Sequence, residues 1–203
     1  MRIIFNAITA TIIAGSTVVA TASTDDGDFA VYRWGARDCD TVVSILQGDQ
    51  ADQARAQIAE WISGYITALN RNEDGVYDVT PVKTHLSLVS LAQNICANNP
   101  DQLLESIVNA IVANLSSLRI STNSSIVSAT HNEGSVEVHE ATILRVQEFL
   151  IAEGHLNNGT ADGIFGPNTA QALEAWQENA GLTPNGLPDI VTLFLIAQQI
   201  SQQ

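Results

Sequence analysis

The feature that most constrains this chain lies near its carboxy terminus. Asp162-Gly163-Ile164-Phe165-Gly166-Pro167-Asn168-Thr169 joins two stretches of helical patterning and is echoed downstream by Asn185-Gly186-Leu187 and Thr192. Gly after Asp suits a tight turn, and Gly166 followed by Pro167 suits a helix start. In both copies a Thr lies seven residues after the Asp or Asn, and an apolar residue, Leu173 or Ile196, four residues after that. Leu144, Val146, Leu150 and Ile151 precede the first copy on a helix ending near Gly154, while Ala172, Leu173 and Trp176 continue an apolar face behind it. Two turn-plus-helix units of one design therefore share a small core.

Several separated motifs fall at the spacing of a known family. They are Val146-Gln147-x-x-Leu150-x-x-x-Gly154, the Asp162 to Thr169 run, Ala172-Leu173-x-x-Trp176-Gln177, Gly181-Leu182 and Asn185-Gly186. Together they resemble the type 1 peptidoglycan-binding domain over about residues 141–200. Trp176 stands where Phe is usual, His155 where an aromatic residue is common and Asn185 where Asp is usual. The resemblance implies a three-helix module that binds the wall polymer rather than cutting it. It implies ligand contacts among Asp162, Gly163, Phe165, Gly166, Asn168, Thr169, Trp176 and Gln177. Backbone N–H groups near Pro167 suit a stem-peptide carboxylate, because the start of a helix is its positive end. Asn168, Thr169 and Gln177 would donate further. Each residue also has a competing structural role: Asp162 capping its own turn, Phe165 and Trp176 in the core, Asn168 and Thr169 at the helix start.

Residues 1–22 read as a secretory signal: Arg2, then the uncharged apolar stretch Ile3 to Gly15, then the small-x-small site Ala20-Thr21-Ala22. The apolar stretch is shorter than the ~20 residues a spanning helix needs, so no membrane span is expected after cleavage. Export gives Cys39 and Cys96 their meaning. In an oxidising compartment two cysteines are most simply a disulfide, a thiol nucleophile or a metal ligand being the alternatives.

Residues 23–118 carry helical patterning. Ile58, Ile62, Tyr65, Ile66 and Leu69 recur at the spacing of one buried helix face. Thr80-Pro81 and Asn99-Pro100-Asp101 read as helix starts, with an N-cap followed by Pro. Leu103, Leu104, Ile107, Ile111, Val112 and Leu115 form a last stripe. With a shorter helix from about Cys39 to Gln47, four helices are expected, the disulfide tying the start of the first to the end of the third. The expected fold class is all-α: a small disulfide-linked bundle followed by the three-helix domain at 141–203. Residues 119–140, rich in Ser, Thr and Asn, read as a linker in which Ile120 to Val138 has room for a short strand or two.

Twenty-two Asp and Glu against eight Lys and Arg give a net charge of −14, which excludes a nucleic-acid binder and a basic lipid-docking patch. Two cysteines exclude a four-thiolate zinc site, and His85, His131, His139 and His155 make no HxH or HExxH pair. Neither metal nor cofactor is expected. Glu105-Ser106 resembles the Glu-Ser pair of lytic transglycosylases, but the downstream segments of that family are missing, and Glu105 reads as a solvated helix residue. Tyr32-x-Trp34-Gly35, Trp61-Ile62-x-Gly64-Tyr65 and Cys96-x-x-Asn99-Pro100 resemble small periplasmic helical proteins with one disulfide, such as HdeA-like chaperones and immunity proteins. That resemblance implies a protein-binding role, with Trp34, Trp61 and Tyr65 as contacts; aromatic residues at helical spacing also suit the core, and close helix packing is expected to explain Gly64. The sequence therefore reads as a non-catalytic, periplasmic or envelope protein holding peptidoglycan through its last domain and an envelope protein through its first. A divergent wall hydrolase, or its inhibitor, is the alternative.

Overall fold

The computed structural model describes residues 29–202; the expected signal segment lies outside them. Seven α-helices, two short 3-10 helices and one two-stranded hairpin make up the regular structure among these residues, so the fold is mostly helical.

The first helix, α1 (Cys39–Leu46), begins where the Asp38 carboxylate accepts the Thr41 N–H at 2.7 Å, the side-chain cap that replaces a missing helical partner. The Thr41 side chain and that hydrogen bond hold the Asp38 carboxyl below its usual range. In α2 (Ala51–Asn72) the stripe Ala54, Ile58, Ile62 and Ile66 is buried. It meets Leu88, Val89 and Ala92 of α3 (Leu86–Cys96) and Ile107, Val108 and Ile111 of α4 (Leu104–Asn114) within one apolar cluster. Cys39 opens α1 and Cys96 closes α3, and their disulfide joins the two helices.

Two expected helix starts are not starts. At Thr80-Pro81 the Asp78 carboxylate takes both the Thr80 N–H and its hydroxyl at 2.9 Å. This holds the chain in an irregular path, and α3 begins only at Leu86. At Asn99-Pro100-Asp101 the Asn99 amide turns back to Ile95 O. The carbonyls of Pro100 and Gln102 accept from Asp40 and Cys39, and α4 begins at Leu104. Long-range backbone pairing overrides the local N-cap signal at both places.

Strands β1 (Ile126–His131) and β2 (Gly134–His139) pair in register, Ile126 opposite His139 and His131 opposite Gly134. Asn132 turns the chain between them with φ 52°, a conformation Asn tolerates better than most residues. Three helices follow: α5 (Glu140–Ala152), α6 (Pro167–Asn179) and α7 (Ile190–Ile200). Pro167 occupies the first turn of α6, and Asp189 caps α7 by accepting the Thr192 N–H at 2.8 Å.

The two helical halves share one core. Helix α7 lies against α3, α4 and the 3-10 turn Leu115–Leu118, where Ser117 Oγ donates to Ala197 O at 3.0 Å. On the other side Val138 of β2 bridges Val82, Lys83 N donates to Glu137 O, and Thr142 Oγ1 donates to Pro81 O at 2.9 Å. The buried His139 ring stands 3.3 Å from the Ser124 carbonyl and 3.4 Å from the Asp78 carboxylate. Residues 119–140 thus hold a hairpin seated on both halves.

Two residues of the first half sit otherwise than expected. Glu105 is buried and accepts the Tyr65 hydroxyl at 3.0 Å. Burial, with Glu105 beside it, pushes the Tyr65 phenol well above its usual range. Glu105 lies in the first turn of α4, where the helix dipole favours an acid and the stripe carries it inward. Gly64 faces open space, so close helix packing does not explain it. The tight contact is at Gly35, where the Trp61 ring occupies the place of a Cβ.

Candidate functional site

The carboxy-terminal domain is built on one device used twice. Gln147, buried on α5, accepts the N–H groups of Asp162 and Gly163 on Oε1. Its Nε2 donates to Asp162 Oδ1, Ile164 O and Thr169 Oγ1. Gln177, buried on α6, accepts the N–H groups of Asn185 and Gly186, and its Nε2 donates to Asn185 Oδ1, Leu187 O and Thr192 Oγ1. Gly163 and Gly186 take φ of 75° and 67°, the left-handed turn that glycine adopts without strain. Each amide therefore clamps one Asp/Asn-Gly turn and anchors the Thr of the following helix.

This geometry places each residue singled out by sequence. Thr169, Trp176 and Gln177 lie inside the domain, Trp176 meeting Phe149 edge-on at 5.5 Å between ring centres. Asp162 caps its own turn by accepting the Ile164 N–H at 2.9 Å. That bond and the Gln147 amide hold its carboxyl below the usual range. Phe165 is half-buried against the core, and Gly166 is the N-cap of α6 with no side chain to offer. Asn168 faces solvent on the first turn of α6.

Two shallow grooves mark the surface of the domain. One, of about 260 Å³, runs between Gly154, His155, Leu156 and Asn157 after α5 and the α6 face formed by Asn168, Gln171, Ala172 and Ala175. The other, of about 310 Å³, lies between the loop Thr122 to Ser125 and Glu140, Leu144, Asp162 and Gly163. Of the eight expected contacts, Asn168 reaches the first groove and Asp162 and Gly163 the second. Sequence reasoning missed Asn157, Gln171 and the clamping role of Gln147. The spacing of Asn168, Gln171, Ala172 and Ala175 along one helix face was the available signal for the groove. For Gln147 the signal was the apolar-Gln pairs Val146-Gln147 and Trp176-Gln177.

In the first half, His85 Nδ1 stands 2.7 Å from Ser63 Oγ. The Ser63 hydroxyl also reaches Ala59 O at 2.8 Å, so the Ser lies between the helix backbone and the ring. Burial pushes His85 below its usual range against the opposing charge of Asp78. Among the described residues no three His, Cys, Asp or Glu side chains converge as metal ligands, and no helix is long and apolar enough to cross a membrane.

Residues 139–195 match the family model described as a putative peptidoglycan binding domain. The match covers all of α5 and α6 and both clamped turns, so the chain carries a peptidoglycan-binding domain segment there. The comparison with curated proteins found no match. Among solved structures the chain is similar to SltB3 from Pseudomonas aeruginosa, crystallised in complex with NAG-anhNAM-pentapeptide. Identity is 22% with a TM-score of 0.28, over 56% of this chain and 27% of that one. The chain thus spans about a quarter of that protein's length.

Proposed function

We propose that this is an exported, non-catalytic protein of the cell envelope that binds peptidoglycan through its carboxy-terminal domain. The observation that carries the reading is the family match over residues 139–195, supported by a repeated turn-clamp fold whose surface bears two grooves. Asp162, Gly163 and Asn168 line those grooves and are the ligand-facing members of the expected set, with Phe165 and Gly166 in the loop between them. Thr169, Trp176 and Gln177 hold the turns and the core beneath them.

The disulfide-linked first half presents an envelope protein partner with Trp34, Trp61 and Tyr65. Trp34 carries the Arg37 guanidinium 4.9 Å over its ring, and Trp61 and Tyr65 stack at 5.5 Å. The shared core holds this face at a fixed position relative to the wall-binding domain, which favours capture of a partner already near the wall. Residues 1–22 are removed on export.

The test is turnover as well as binding. Residues 23–203, incubated with labelled wall, are expected to sediment with it and release no soluble fragments. Release that is lost in Glu105→Gln would replace this reading with a wall hydrolase.

A further inference from the structure

Side-chain amides of the carboxy-terminal domain differ in how they are engaged. Gln147, Gln177 and Asn185 are engaged inside, each by several hydrogen bonds. The side chains of Asn157, Asn168 and Gln171 have no hydrogen-bond partner among the described residues, and all three line the groove of about 260 Å³. Gly154, Leu156, Ala172 and Ala175 are its small and apolar members. No Asp, Glu, Lys or Arg lines it, although the chain carries a net charge of −14.

Resting on the wall-binding reading, we infer that this groove takes one N-acetylated sugar of the glycan strand rather than the stem peptide. A carboxylate would find no Lys or Arg there, only the His155 ring and the start of α6, and would approach a strongly acidic protein. A neutral sugar ring instead sets its apolar face against Leu156, Ala172 and Ala175. Its acetamido group offers one N–H donor and one carbonyl acceptor, the complement of an Asn or Gln side chain, which both donates and accepts. The volume lies just under the ~300–1,000 Å³ of sites for drug-sized ligands, which suits one ring rather than an extended oligomer. The second groove, with Glu140 and Asp162 in its wall, repels carboxylates further.

The experiment uses residues 23–203 and four probes at high salt: intact sacculi, glycan strands freed of stem peptides by amidase, the released stem peptides, and the same strands after chemical removal of acetyl groups. High salt suppresses attraction between the acidic protein and the cationic deacetylated strands. Binding to intact sacculi and to freed glycan is expected, with none to stem peptides and a loss of about tenfold or more on deacetylation, as when a hydrogen-bonding partner is removed. Asn168→Asp and Ala175→Trp should each reduce glycan binding to the same extent. Asp at position 168 lies in the first turn of α6 and favours the helix, so that variant keeps its fold. Binding to sacculi and stem peptides but not to freed glycan would overturn the inference and leave wall binding intact. Glycan binding unchanged in both variants would place the site elsewhere. Failure to bind sacculi at all would remove the wall-binding reading, and this inference with it.

Discussion

Gln147 and Gln177 stand thirty residues apart and make the same five hydrogen bonds, each closing one Gly turn and fastening one Thr of the next helix. Replacing either with Leu leaves two backbone N–H groups and a carbonyl in the interior without partners. A loss of about 3 kcal/mol or more is expected, since each buried unsatisfied group costs roughly 1–3 kcal/mol. Urea unfolding measures it, and a loss below about 1 kcal/mol would mean that water replaces the amide and the clamp is dispensable.

The repeat also predicts how the Asp162 turn responds to acid. The Ile164 N–H and the Gln147 amide depress the Asp162 pKa in the folded state. The stability it contributes is present above the unfolded carboxyl value and is lost as pH falls through the lower folded value. Asn185 accepts the Leu187 N–H in the second turn as Asp162 accepts that of Ile164 in the first. Asp162→Asn should therefore keep the fold and flatten this part of the acid dependence, whereas Asp162→Ala should lose the turn at every pH. Melting temperatures of both variants between pH 2 and pH 6 separate the two behaviours.

What the sequence made legible depended on how local each signal was. The turn run at Asp162 to Thr169 and its echo at Asn185 carry their own geometry in Gly, Pro and Thr, and both appear as read. The stripe Ile58, Ile62 and Ile66 needed only helical period, and the Cys39–Cys96 pair only the count of two cysteines. Thr80-Pro81 and Asn99-Pro100 misled because their neighbours pair with distant backbone: Pro81 with β2 and α5, Pro100 with the start of α1. Glu105 looked solvated because nothing local shows that Tyr65, forty residues earlier, covers it. In the candidate site the motif residues were visible but their division of labour was not. Whether a Gln faces a turn or a groove is decided by three-dimensional packing.

The disulfide closes a loop between residues 57 apart in sequence. Chain entropy alone gives such a link about 4 kcal/mol. Cys39→Ala with Cys96→Ala is expected to lower the unfolding free energy by that order, and a reductant should do the same to the wild-type chain. Equal stability of oxidised and reduced protein would contradict this.

Because α7 and the hairpin join the halves, the chain should open as one unit. The most protected amides of α2 and of α6 are expected to exchange with the same free energy. Val138→Asp, placing a charge where Val138 is fully buried beside Val82, should lower both together. Separate opening energies, with only α6 affected by the variant, would show two independent domains.

The most direct measurement is co-sedimentation of residues 23–203 with purified, protein-free wall sacculi at low and high salt. The full chain carries a net charge of −14, and residues 23–203 lose only the basic Arg2, so the protein has no net attraction to bring it to the wall from a distance. Recognition must therefore be short-range and nearly insensitive to screening. The protein should pellet with the sacculi at both salt concentrations. Protein that stays in the supernatant, or that pellets only at low salt, would contradict a specific wall-binding domain.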